Sequence, residues 1–292
     1  MAKRLSLLLF VLLMLTCTAC SSSGDDTTDV DTGDMSAEEL LQASVTKMEN
    51  VNSLDASILM DIAMTSSGET LTATTTTETT TFAQPFKMRL EMTMDMVAAG
   101  QSSSVTSTMY MEEGEDGYLL YIGDGTEWNR QTVEMEAMEQ YDSINAASLY
   151  LESMTEMEIT GTEEVNGEEA YKIEGIIDAD GLDEVLTNSG ALSSLGDFEG
   201  MEETFTDLYK DLGNLPITVW VSTGATYPLR YQMDMSEVLQ NLMNNLRASL
   251  SAEDTELASS LNFTIETYTV DATMSNFDAA GNFEIPDEAK GE

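Results

Sequence analysis

Phe86-Lys87-Met88-Arg89-Leu90-Glu91-Met92-Thr93-Met94-Asp95-Met96 decides the architecture, because every even position is apolar and every odd one is polar or charged. A period of two is the signature of a strand with one face turned away from water. The pattern recurs upstream at Leu54, Ala56, Ile58, Met60, Ile62 and Met64, and downstream at Val105, Ser107, Met109 and Met111. Between the first two runs, past the turn residues Ser66-Ser67-Gly68-Glu69, lies Leu71 to Phe82 (LTATTTTETTTF). Thr is β-branched and suits a pleat, so this run reads as a strand too. A glycosylated Thr stalk is the alternative, and the absence of Pro from the run speaks against it.

The rest of the chain alternates helices with more strands. Ser36 and Glu39 form a capping box ahead of a helix carrying Leu41, Val45 and Met48, which should end near Asn50 to Asn52. Tyr118 to Ile122 is a short apolar strand between Gly-bearing turns, with Trp128 at one end of its partner. A loosely patterned helical stretch runs from about Val133 to Met154. Strands follow at Ile159 and at Ala170 to Ile177, with Asn166-Gly167 as a hairpin turn. Gly181 to Leu212 is polar and Gly-interrupted, with one helix expected over Phe198 to Leu212. Ile217 to Val221 and Leu229 to Met235 read as a hairpin, Ser236 to Leu250 as a helix, and Phe263 to Met274 with Phe283 to Ile285 close the domain. The expected class is α+β, a strongly curved antiparallel sheet wrapped round helices.

Composition narrows the function. Against 54 Asp and Glu stand 11 Lys and Arg in 292 residues, a formal net charge of −43, and there is no His. Without imidazole, Ser-His-Asp and Cys-His nucleophiles and HExxH zinc sites are excluded. So negative a chain repels nucleic-acid phosphate and anionic membrane surfaces. Acid pairs such as Glu38/Glu39, Glu163/Glu164 and Glu168/Glu169 invite comparison with glycosidases, but such sites also bring aromatic sugar platforms, and only two Trp are present. Asp178 to Glu184 has a calcium-loop flavour, yet its Gly falls fourth rather than sixth. The expectation is a binding protein, not an enzyme, with no metal and no cofactor.

The amino terminus gives an address. Lys3 and Arg4 precede Leu5 to Leu15, apolar apart from Ser6, a run short of the ~20 residues a membrane span needs. Thr16-Cys17-Thr18-Ala19-Cys20-Ser21 resembles a bacterial lipobox, in which Cys20 would be diacylated on sulfur and become the first mature residue. Cys17 stands where lipoboxes carry an aliphatic side chain. An ordinary secretory signal with two incidental Cys is the alternative reading. Ser21 to Asp34 is Ser, Thr, Gly and Asp with one Val, too polar to bury a core, and reads as a self-repelling tether. The expected organisation is a signal peptide over 1–19, a flexible acidic tether over 20–35, and one domain over 36–292. Removing residues 1–19 would take the formal charge from −43 to −45. The domain would then be a monomer held by two acyl chains at the extracytoplasmic face of the cell membrane.

Three further segments carry a resemblance. They are Leu40 to Met64, with Met48-Glu49-Asn50-Val51-Asn52-Ser53 between helix and strand; Val165-Asn166-Gly167-Glu168-Glu169-Ala170-Tyr171-Lys172-Ile173-Glu174-Gly175; and Tyr227-Pro228-Leu229-Arg230, together with the final Asn282-Phe283-Glu284-Ile285-Pro286-Asp287-Glu288-Ala289. With the lipobox, these resemble the bacterial LolA-like lipoproteins, a group that includes Gram-positive members of unassigned role and mycobacterial lipid-carrying lipoproteins. The resemblance implies a half-barrel of about eleven antiparallel strands closed by helices, an apolar cavity that takes acyl chains or lipids, and no catalytic residues. This chain departs from the group in its acidic surface, in the long Gly181–Leu212 stretch and in the Thr-rich strand.

The candidate cavity residues are those on the apolar strand faces. They are Ile58, Met60, Ile62 and Met64; Phe86, Met88, Leu90, Met92, Met94 and Met96; Met109 and Met111; Ile173; Val219 and Val221; Leu229, Tyr231, Met233 and Met235; and Phe263 and Ile265. Ten of the 21 Met fall in this set, where strand propensity would favour Val and Ile. Met is flexible and polarizable, and so suits a surface that adapts to varied apolar shapes. The sharp reading is a deformable cavity for a lipid or other apolar ligand, serving envelope lipid transport or chaperoning. A Met-rich core without ligand is the plain reading. An oxidant sink would need exposed sulfurs, which the alternation disfavours. The alternative function is a sensory or interaction domain whose concave face receives a protein or peptide.

Overall fold

A computed structural model describes residues 35–66, 68–114, 117–133, 150–188, 211–251 and 262–291. The expected signal peptide, Cys20, the tether up to residue 34, the middle of the Val133–Met154 stretch and most of Phe198–Leu212 lie outside the described residues.

The first helix, α1 (Ala37–Met48), starts where the capping box predicts. The Glu39 N–H donates to Ser36 Oγ at 3.2 Å, and the Ser36 N–H donates to the Glu39 carboxylate at 2.8 Å. These bonds hold the Glu39 carboxyl below its usual range, the Ser36 backbone bond contributing most. Six strands then follow in a meander: β1 (Ser53–Ser66), β2 (Glu69–Phe82), β3 (Lys87–Ala98), β4 (Gln101–Gly114), β5 (Gly117–Gly123) and β6 (Trp128–Val133). The chain resumes with β7 (Met154–Val165), β8 (Glu168–Ile177), α2 (Ala179–Asn188), β9 (Leu215–Ser222), β10 (Pro228–Asp234), α3 (Ser236–Ser251), β11 (Thr264–Ser275) and a single turn, α4 (Asp287–Lys290).

All eleven strands form one antiparallel sheet in the order β6-β5-β4-β3-β2-β1-β11-β10-β9-β8-β7. Two meanders, β1–β6 and β7–β11, are thus joined by the β1/β11 ladder. The β7/β8 turn has Asn166 at φ 53° and Gly167 at φ 84°, the left-handed pair that a two-residue hairpin needs.

Helices α1, α2 and α3 lie on one face of the sheet. Leu40, Leu41 and Val45 of α1, Leu182 of α2, and Val238, Leu239 and Met243 of α3 share a core with Ile58, Met60, Val270, Val219 and Ile173. Two side chains pin α3 to β11: Ser236 Oγ accepts from the Tyr268 N–H at 2.8 Å, and Gln240 Oε1 accepts from the Ile265 N–H at 2.7 Å.

Two stretches differ from the sequence reading. Asp178 to Glu184, compared above with a calcium loop, and the start of the stretch read as polar and Gly-interrupted from Gly181 instead open helix α2; the Asp178 carboxylate accepts from the Gly181 N–H at 3.0 Å, as a helix cap does. Phe283 to Ile285 forms no strand. Phe283 and Ile285 instead pack with Tyr110, Tyr121 and Ala289 of α4 on the face of β4 and β5 away from α1, α2 and α3. No helix among the described residues is long and apolar enough to cross a membrane.

Candidate functional site

Register turns the even-numbered apolar positions into rows. One row crosses seven strands: Val105 on β4, Met94 on β3, Thr75 on β2, Met60 on β1, Val270 on β11, Met233 on β10 and Ile217 on β9. Six steps of ~4.8 Å make it about 29 Å long. The neighbouring row runs Ser107, Met92, Thr77, Ile58, Ala272, Tyr231, Val219 and Ile173. The far end of each row belongs to the helix-covered core, so the whole set faces the helix side.

The rows are not uniformly covered. Val270 is fully buried and Met94 is 7% exposed, whereas Val105 at the β4 end is 51% exposed. Met64, Met92, Met96 and Met109 are half-buried. A second cluster forms on β3–β5 from Met88, Met111 and Leu120, with Phe86, Met109 and Ile122 against it; among the described residues it contains none from a helix. The Phe86 and Tyr118 rings meet edge to face, with centroids 5.2 Å apart.

Most residues expected at the site lie on this face. Ile58, Met60, Ile62, Ile173, Val219, Val221, Met233, Met235 and Ile265 are buried in the helix-side core, and Met64, Met96, Tyr231 and Phe263 pack against it. Phe86, Met88, Met109 and Met111 belong to the β3–β5 cluster, and Leu90, Met92 and Met94 share the inward row of β3 with Met88. Leu229 stands apart. It sits at a register shift between Pro228 and Arg230 and packs with Trp220, Val165 and Ala170. The shift moves the alternation by one residue and turns Leu229 to the opposite face.

Sequence reasoning missed the inward face of β2. Thr75, Thr77, Thr79 and Thr81 alternate there and are all buried. The hydroxyls of Thr75, Thr79 and Thr81 have no hydrogen-bond partner. An unpaired buried hydroxyl costs ~1–3 kcal/mol, and three in one row lie between apolar neighbours. Two outward Thr residues of the same strand are paired: Thr74 donates to Asp61 at 2.7 Å and Thr80 to Asp55 at 2.7 Å.

The strand-borne cations occupy the other face. Arg230 grips Asp271 with Nε at 2.8 Å and Nη2 at 2.5 Å, and its guanidinium lies 4.5 Å from the Trp220 ring centre. The Trp220 Nε1–H donates to Glu163 at 2.9 Å. Lys87 Nζ lies over the Phe82 and Phe283 rings. No cluster of acids among the described residues is arranged to hold a metal ion.

The described residues thus form one antiparallel sheet of eleven strands, with α1, α2 and α3 on one face and an apolar inner surface. The chain belongs to a family of unknown function (DUF6612), which matches residues 36–188. No curated protein matches it. Among solved structures, LprF from Mycobacterium bovis is similar at 15% identity, covering 86% of this chain and 96% of that one, with a TM-score of 0.48. The lipoprotein LppX from Mycobacterium tuberculosis is similar at 14% identity, covering 85% and 100%, with a TM-score of 0.43. A LolA superfamily protein from Nitrosomonas europaea is similar at 8% identity, covering 87% and 96%, with a TM-score of 0.24.

Proposed function

We propose that this chain is a lipid-anchored extracytoplasmic protein that binds a lipid or other apolar ligand on the inner face of β1–β4 and carries or chaperones it, without catalysis. The observation behind this reading is the inward row that runs from fully buried Val270 to half-exposed Val105 through the Met-bearing strands. Such a surface offers an apolar body a graded path from solvent to core, and Met side chains can repack around different shapes. Cys20 provides the anchor, and the acidic exterior keeps the domain off anionic surfaces.

Uptake of a fluorescent fatty acid by the purified chain tests the binding. Saturable uptake is expected, and the double change Met92→Asp and Met94→Asp should reduce it at least tenfold, with circular dichroism confirming a retained sheet. Absence of uptake by the unaltered protein contradicts the reading. Cys20→Ser should release the protein from membranes; continued membrane association would remove the anchor.

A second reading draws on the edge of β4. β5 pairs only with Thr108 to Gly114, so among the described residues no strand lies beside Gln101 to Ser107 on that side. An extended peptide could add there as a strand.

A further inference from the structure

We propose that Thr75, Thr79 and Thr81 form the hydrogen-bonding track of this site, and that its ligand is an uncharged lipid with ester or hydroxyl oxygens along its body. The proposal rests on the apolar-ligand reading above and names the ligand class. The three hydroxyls are buried and unpartnered. The strands on either side cannot supply acceptors, because the residues facing them are Leu54, Ala56 and Met60 on β1 and Met88, Leu90 and Met94 on β3. Inward positions on a strand repeat every ~6.8 Å, so Thr75 to Thr81 spans ~20 Å, the scale of an acyl chain rather than of a compact headgroup. A plain hydrocarbon would leave every hydroxyl unpaired. A lipid whose oxygens interrupt its apolar length would pair with them while its chains lie on the flanking Met and Leu side chains.

Charge argues the same way. The inward positions of β1, β2 and β3, from Leu54 to Met64, Leu71 to Thr81 and Met88 to Met96, carry no charged side chain. The cations borne by β3 and β6 are engaged on the other face: Lys87 with Asn282 and Phe283, Arg89 with Thr80, and Arg130 over Tyr121; Lys47 of α1 lies over Tyr227 and Arg247 of α3 bonds to Asn262, off the track. A phosphate laid along the track would meet no counter-charge and would be desolvated without compensation.

The test compares three radiolabelled probes with the same oleoyl or oleyl chains, delivered from vesicles to the full chain: dioleoylglycerol, its diether analogue without carbonyls, and anionic dioleoylphosphatidylglycerol. The expected result is that dioleoylglycerol binds about tenfold more tightly than either of the others, as one or two retained hydrogen bonds would give. In the triple variant Thr75→Val, Thr79→Val, Thr81→Val the ratio of diester to diether should fall to about one, whereas Thr76→Val on the outward face should keep it. Equal binding of diester and diether by the unaltered protein overturns the track and leaves the apolar site standing. So does a ratio that survives in the triple variant, and a preference for the anionic lipid removes the uncharged class. Binding of none of the three overturns the track and the apolar-ligand reading together. The unaltered protein's own ratio decides the matter should the triple variant fail to fold.

Discussion

Thr79 and Thr80 are consecutive and chemically identical, yet the fold treats them oppositely. Thr80 donates to Asp55 at 2.7 Å and accepts from Arg89 at 3.2 Å, while the buried Thr79 hydroxyl has no partner. In the ligand-free protein, Thr79→Val should therefore raise stability by about 1 kcal/mol and Thr80→Val should lower it by about as much, measured by urea unfolding. Destabilisation by Thr79→Val would mean that its hydroxyl is satisfied. None of this was legible in the sequence, because LTATTTTETTTF places Thr on both faces and only register separates them. Tyr268 makes a second residue-scale prediction. Burial, with a smaller contribution from neighbouring Tyr150, pushes its phenol above the ordinary 10.0. A group held protonated by the fold but ionised near pH 10 when unfolded stabilises the fold below that pH, and its contribution is lost as pH rises further. Alkaline melts should show stability falling above about pH 10, and Tyr268→Phe should flatten that fall. An unchanged slope in the variant would clear Tyr268 of the effect.

At the scale of elements, patterns with a strong local cause were legible. The alternation from Phe86 to Met96 became β3 (Lys87–Ala98), and Asn166-Gly167 became the β7/β8 turn. The capping box became the start of α1, and Ser36→Ala should cost about 1 kcal/mol in chemical unfolding. No loss on that change would show the helix to be held by packing alone. Elements whose cause is tertiary were not legible. Asp178 to Glu184 looks like a polar loop until Leu182 and Val185 are seen to be buried, and the helix is then the way to bury them while Asp180 stays in water. Phe283 and Ile285 alternate like a strand, but they lie against the Tyr110 and Tyr121 side chains rather than in a ladder. Leu229 follows the apolar pattern of its strand and still leaves the inner face, because a one-residue register shift has no mark in the sequence.

At the scale of the molecule, the class of the fold followed from period two, whereas the strand count came from the resemblance and the strand order from neither. The decisive pairing is β1 with β11, whose partners, such as Ile58 and Ala272, lie more than 200 residues apart. That pairing makes one continuous inner face from two meanders and puts Met60 beside both Thr75 and Val270. It also keeps charged side chains off the inward positions of β1, β2 and β3, where the apolar rows lie. The central claim is that this inner face holds an apolar ligand. Native mass spectrometry of the full chain, purified from membranes under mild conditions, tests it most directly. The account predicts a species heavier than chain plus anchor by the mass of one lipid, released by organic extraction and uncharged. A spectrum showing only chain plus anchor, with no lipid in the extract, would contradict it.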